Sequence, residues 1–186
     1  MDTLDRDLII RASEGDVDSF EQIYKAYSGF VYNLALRVGR NKDDANEVTQ
    51  DVFMSIYRNL KNFKFNSSFK TWVYRVATNY SINYAKKRSK VNDRTIEYSD
   101  SLDSHTTESE ISANIEKEHR SFVIKKMLDM LNPEYRICMV LRHIEGLSYE
   151  EIADLLRVNI NTVRTRLKRA RERLLAARKE VVNNEV

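Results

Sequence analysis

An all-α fold is what this 186-residue sequence predicts, and three observations carry the prediction. Proline occurs once and glycine four times, too seldom for a sheet protein, whose strands need turn residues at short intervals. Apolar residues recur at helical spacing through the first ninety or so positions and again from Ile115. Between these parts the periodicity collapses. The reading is therefore two small helical domains, 1–92 and 115–186, joined by a flexible acidic linker at 93–114, the second domain carrying a helix-turn-helix.

In the first part, Asp43 to Leu60 shows the pattern best. At 100° per residue, Ala45, Val48, Val52, Ile56 and Leu60 share one face, and Asp44, Glu47, Asp51, Met54 and Arg58 cluster on the other. Asn62 to Ser68 breaks the pattern and reads as a loop. A second helix is predicted from Phe69 to about Lys87, with Phe69, Trp72, Val73, Val76, Ala77, Tyr80 and Tyr84 on one broad face. Arg75, Asn79, Asn83 and Lys86 form its polar edge.

From Val91 to Ala113, acidic residues are interleaved with many Ser and Thr. Such a segment buries too little apolar surface to offset the entropy of ordering it. A helix then runs from Ile115 to about Leu131. Asn132 and Pro133 start the next one as N-cap and first helical residue, and Ile137, Val140, Leu141 and Ile144 form its stripe. Gly146 is placed to end it. Ser148 and Glu151 form a capping box opening a helix that carries Ile152, Ala153, Leu155 and Leu156. After a short break at Arg157 to Asn159, the last helix spans about Asn161 to Lys179. Turns of this kind often carry glycine where Arg157 stands, and arginine seldom takes positive φ, so a tighter or differently shaped turn is expected.

Composition and charge restrict the function. Hydrophobic residues make up 42% and charged residues 32%, which describes a soluble chain with a heavily charged surface. The lone Cys138 excludes an internal disulfide and reads as a buried thiol within Ile137 to Leu141. No run approaches the ~18 apolar residues of a membrane span, and Met1 to Ile10 lacks a signal-peptide core. A cytosolic protein with no direct membrane insertion is expected. His105, His119 and His143 lack metal-ligand spacing, and no phosphate loop or nucleophile elbow occurs. Neither an enzyme nor a cofactor is expected.

The net charge of +3 conceals two basic islands, Lys86-Lys87-Arg88-Lys90 and Arg164 to Lys179, on either side of the acidic stretch. They suggest two nucleic-acid contacts made by separate domains. In the last helix, Val163, Leu167, Ala170 and Leu174 fall within about 60° and would pack on the scaffold. Asn161, Thr162, Arg164, Thr165, Lys168 and Arg169 face the other way, with side chains suited to base edges and phosphates. Arg164, Thr165 and Lys168 are candidates for base readout, and Arg166, Arg171 and Arg173 for phosphates. In the first domain, Phe63, Phe65 and the aromatic face beside Asn79, Asn83 and the basic cluster would suit unpaired bases, although such aromatic stripes are more often core.

Two long segments carry a resemblance. Glu47–Leu60 (EVTQDVFMSIYRNL) with Phe69–Arg88 (FKTWVYRVATNYSINYAKKR) resembles the second conserved domain of sigma-70 factors. Leu131–Leu156 (LNPEYRICMVLRHIEGLSYEEIADLL) with Asn161–Leu174 (NTVRTRLKRARERL) resembles their fourth. The short chain, without room for a third domain, is similar to the extracytoplasmic-function (ECF) branch. The resemblance implies binding to core RNA polymerase, through the β′ coiled-coil and the β subunit, with Glu47, Gln50, Asp51 and Met54 on the coiled-coil. It implies capture of a flipped −10 base by Phe63 to Phe69 with Asn79, while Asn83, Lys86, Lys87 and Arg88 follow the −10 strand. It assigns Asn161, Thr162, Arg164, Thr165, Lys168 and Arg169 to the −35 element. It also implies promoter DNA and an anti-sigma factor as partners, with the linker in the RNA exit channel. A helix-turn-helix repressor is the rival reading; it would bind duplex alone, usually as a dimer on a palindrome.

Overall fold

The computed structural model describes residues 4–92, 128 and 130–183, and all regular structure among them is helical. The 93–114 linker and most of the predicted 115–131 helix lie outside the described residues. Four helices come first: α1 (Arg6–Ser13), α2 (Val17–Gly39), α3 (Lys42–Asn59) and, after a 3-10 turn at Leu60–Asn62, α4 (Phe69–Asn92). Three follow: α5 (Pro133–His143), α6 (Tyr149–Leu156) and α7 (Ile160–Asn183).

α2 is the spine of the N-terminal half, packed by α1, α3 and α4. Its Ile23, Val31, Leu34 and Val38 are wholly buried and meet Val52 and Ile56 of α3 and Val73 and Ala77 of α4 in one core. The Asn41 side chain caps α3, accepting the Asp44 N–H at 3.0 Å. Ala45, Val48, Val52, Ile56 and Leu60 are all buried, as their spacing predicts. Asp44 departs from that reading: it is buried rather than on the outer face, where its Oδ2 meets the Arg88 guanidinium as an ion pair without an aligned hydrogen bond.

The inner face of α4 is rotated from the predicted one. Phe69, Val73 and Ala77 are buried, but so are Tyr74, Thr78, Ser81 and Ala85, whereas Tyr80 is exposed and Trp72, Val76 and Tyr84 are half-buried. The small polar Thr78 and Ser81 are turned inward together with Tyr74, whereas Trp72, Tyr80 and Tyr84 lie at the margin. Hydrophobicity alone points the helix toward its tyrosines.

The C-terminal helices are closed by their caps. Asn132 accepts the Tyr135 N–H at 2.9 Å, with Pro133 in the first turn. Ile137, Cys138, Val140 and Leu141 are wholly buried, and burial pushes the Cys138 thiol up to about 11. Ile144, predicted on the same stripe, is half exposed because α5 ends at His143 and leaves it on the cap. Both bonds of the Ser148–Glu151 capping box form, at 3.1 and 2.7 Å.

Arg157 corrects the expectation for the turn. It takes φ 52 and ψ 47, the left-handed conformation that glycine usually supplies, so the turn keeps its ordinary shape. Val158 N–H then reaches Ala153 O at 3.0 Å. The Asn159 side chain accepts the Asn161 N–H at 2.8 Å, which starts α7 at Ile160.

The two halves touch. α5 rests on α2 and α4, and α6 rests on α4. Arg136, nearly fully buried, donates to Val38 O at the end of α2, to Leu131 O at 2.6 Å and to Leu128 O at 2.9 Å. At the rim, Arg37 meets Glu145 at 3.4 Å.

Candidate nucleic-acid interface

α7 is built as two opposed faces. Val163, Leu167 and Ala170 are wholly buried, with Leu174 half-buried, so the helix is fixed on α5 and α6 by one stripe. Asn161, Arg164, Thr165, Lys168 and Arg169 are exposed on the other side, and Thr162 is half-buried. Asn161 Oδ1 accepts from Arg164 Nη1 at 3.1 Å, and Thr165 Oγ1 donates to Asn161 O at 2.8 Å. These contacts pre-order the first turn while leaving the guanidinium fork in solvent. Arg171 donates to the Tyr149 hydroxyl at 3.0 Å, and Arg173 lies 5.1 Å from the centre of the Tyr135 ring. Arg166, expected among the phosphate contacts, turns inward to Glu134 instead, at 2.9 Å.

A second set lies on α4 and the loop before it. Phe63 stands 4.8 Å from Phe65, 5.4 Å from Phe69 and 5.2 Å from Trp72, ring centre to ring centre. Phe65 is held at φ 56, a backbone conformation that costs a bulky residue roughly 1–3 kcal/mol, and Arg6 lies 4.6 Å over its ring. Phe69 is buried and edge-on to Tyr27, so the partly exposed rings of the cluster are Phe63, Phe65 and Trp72. Asn79, Asn83, Lys86 and Lys87 are exposed, and Arg88 is engaged by Asp44. Asn79, Asn83 and Lys86 line a cleft of about 170 Å³ whose far wall is Glu134, Leu156, Val158 and Arg166.

The outer face of α3 forms a third surface. Glu47, Gln50, Asp51 and Met54 are all exposed on it. Tyr57, one turn further on, is also exposed and packs edge-on against Phe20; Tyr24 rests on Phe53. Carboxylates bordered by Met54, Tyr57 and Tyr24 make an amphipathic strip suited to another helix. Helical spacing sets Tyr57 beside the apolar stripe of α3 rather than within it, so spacing alone does not mark it as a contact residue. Glu47 also accepts the Tyr84 hydroxyl at 2.8 Å, and that hydrogen bond, with some desolvation, pushes the phenol up to about 12.

Among the described residues no group of three His, Cys, Asp or Glu side chains is placed to hold a metal, and no helix is long and apolar enough to cross a membrane.

Comparison with known proteins follows the same division. Residues 23–91 match the family described as sigma-70 region 2, and residues 121–174 match sigma-70 region 4. The ECF RNA polymerase sigma factor SigW of Bacillus subtilis is 31% identical over 183 residues, covering 94% of this chain and 96% of that protein. SigE of Mycolicibacterium smegmatis, another ECF sigma factor, is 32% identical over 157 residues; this chain spans 60% of its length. In fold, the chain is similar to the sigma factor RpoE of Bartonella quintana, solved in complex with the anti-sigma factor NepR. The TM-score is 0.64 at 23% identity, over 88% of this chain and 98% of that one.

Proposed function

Because this chain belongs to the ECF branch of the sigma-70 family of RNA polymerase sigma factors, we propose that it binds core polymerase, recognises a promoter at two elements and assists strand opening. The observation that carries this reading is the exposed Arg164, Thr165, Lys168 and Arg169 set, opposite a wholly buried stripe on a capped helix-turn-helix. It is the arrangement by which a second helix enters the major groove.

The proposed labour is divided along the chain. Residues 1–92 dock on polymerase through Glu47, Gln50, Asp51 and Met54 and handle the −10 element, 93–114 is the tether, and 115–186 reads the −35 element. On α4, Asn79 and Asn83 would pair with base edges, Phe63 would stack a base, and Lys86, Lys87 and Arg88 would follow phosphates. Extruding a base costs a few kcal/mol, which the aromatic loop offsets if it is preformed. The strained Phe65, fixed by its neighbours, supports a preformed loop. The protein acts in the cytoplasm, without chemistry of its own, and an anti-sigma protein contacting both halves is the regulator expected.

Run-off transcription with core polymerase on a library of promoter fragments tests the proposal. New start sites that depend on the protein are expected. No transcription, together with tight duplex binding by the protein alone, would assign it to the repressors.

A further inference from the structure

Arg6, the first residue of α1, lies over the ring of Phe65, 4.6 Å from its centre, in the loop that precedes α4. The backbone of α1 is fixed independently of that contact. Asp5 caps the helix by accepting the Asp7 N–H, and Leu8, Ile9 and Ala12 are buried. α1 also packs against the 3-10 turn from which the loop leaves. A cation in the first turn of a helix meets the positive end of its dipole, so the charge of Arg6 does not serve α1 itself.

Hydrogen bonds tie the loop at its two ends. Phe63 N–H donates to Leu60 O at 3.0 Å, and Ser68 Oγ accepts the Thr71 N–H at 3.1 Å. Between them Phe65 sits at φ 56, a conformation that bulky side chains avoid. Its half-buried ring is bounded by Phe63 at 4.8 Å and by the Arg6 guanidinium. We infer that Arg6 is a positioning residue for the aromatic loop: its guanidinium holds Phe65 in the left-handed conformation, and through Phe65 it fixes the Phe63 ring where an extruded base would stack. α1 thereby belongs to the −10 apparatus without touching DNA. The inference rests on the proposed base-capturing role of the loop.

A double-mutant cycle on the full chain, assembled with core polymerase, tests it. Wild type, Arg6→Ala, Phe65→Gly and the double variant are compared. Glycine takes positive φ freely, so a loop carrying Phe65→Gly no longer needs the guanidinium. The probe is a fluorescent promoter fork with an unpaired −10 strand, taken from a start site found by run-off transcription. In a second series each −10 base is removed in turn to leave an abasic sugar. One position of the wild-type fork should lose affinity sharply when its base is removed. Arg6→Ala should weaken binding of the intact fork about two- to fivefold, the worth of an exposed cation–π contact, and shrink the loss at that position alone. Within Phe65→Gly, adding Arg6→Ala should change nothing. Trypsin reads the loop without DNA: cleavage after the exposed Lys64 should be about two- to fivefold faster in Arg6→Ala, and cleavage after Lys25 of α2 unaltered.

An equal loss from Arg6→Ala in both backgrounds overturns the inference, because Arg6 would then meet DNA directly or steady the fold at large. Affinity that is unchanged in Arg6→Ala, or unchanged cleavage after Lys64, overturns it as well. If cleavage rises but no −10 position of the wild-type fork responds to base removal, base capture by the loop fails, and the positioning role of Arg6 falls with it.

Discussion

Tyr84 of α4 donates its hydroxyl to Glu47 of α3 at 2.8 Å, which joins the helix proposed to handle DNA to the carboxylate proposed to dock on polymerase. The neutral phenol is the form this bond favours, and its pKa rises from 10.0 to about 12. The contribution to stability is therefore intact below pH 10 and is lost as pH climbs toward 12. Tyrosinate absorbance, titrated in wild type and Tyr84→Phe, should differ by one late-titrating group. A difference curve centred near 10 would show that the bond does not form in solution.

Arg164→Ala should weaken transcription from cognate −35 sites by ~1–3 kcal/mol of discrimination, the usual worth of a bidentate base contact. Transcription from promoters with substituted −35 positions measures it. Equal loss on every promoter would reassign Arg164 to phosphate binding.

Asp51→Lys should weaken binding to core polymerase by roughly ten- to a hundredfold, about 1.4–2.8 kcal/mol, through a reversed charge in a docking strip. Asp51 is exposed and on α3, so circular dichroism should show the helices undisturbed. Undiminished affinity in a pull-down with core enzyme would remove Asp51 from the interface.

At Arg157, the exposed side chain gains little from its position while the backbone sits at φ 52. Arg157→Gly should raise stability by about 0.5–1 kcal/mol, net of the extra chain entropy of glycine, and the melting temperature by about 1–4 °C. Arg157→Val should lower both. Calorimetry that finds the glycine variant less stable would show that the arginine side chain contributes something the backbone argument omits.

These residues also mark how far the sequence could be read. The inner stripes of α3 and α7 are legible because large apolar side chains at regular spacing leave one way to bury them. Caps at Asn132 and Ser148 are legible because each partner lies within three residues. The register of α4 is misread because Thr78 and Ser81 are buried, and small hydroxyl side chains carry no hydrophobic signal that would mark an inner face. Arg166 reads as a phosphate contact because its partner Glu134 is 32 residues away, and Lys86 is a further 48 from that carboxylate. No local pattern announces a pairing of that range. Of the candidate site, the exposure of Asn161, Arg164, Thr165, Lys168 and Arg169 on α7 is legible, with Thr162 half-buried instead, whereas the ion pairs of Lys86 and Arg166 depend on how the two halves meet.

The guanidinium of Arg136 hooks a carbonyl 98 positions earlier in the chain. On the ribosome, Val38 therefore precedes its donor by about 5–20 s at synthesis rates of ~5–20 residues per second. Throughout that interval the end of α2 and the edge of α4 have no second half to cover them. The N-terminal helices are therefore complete, and open along the flank on which α5 and α6 later rest, before translation finishes.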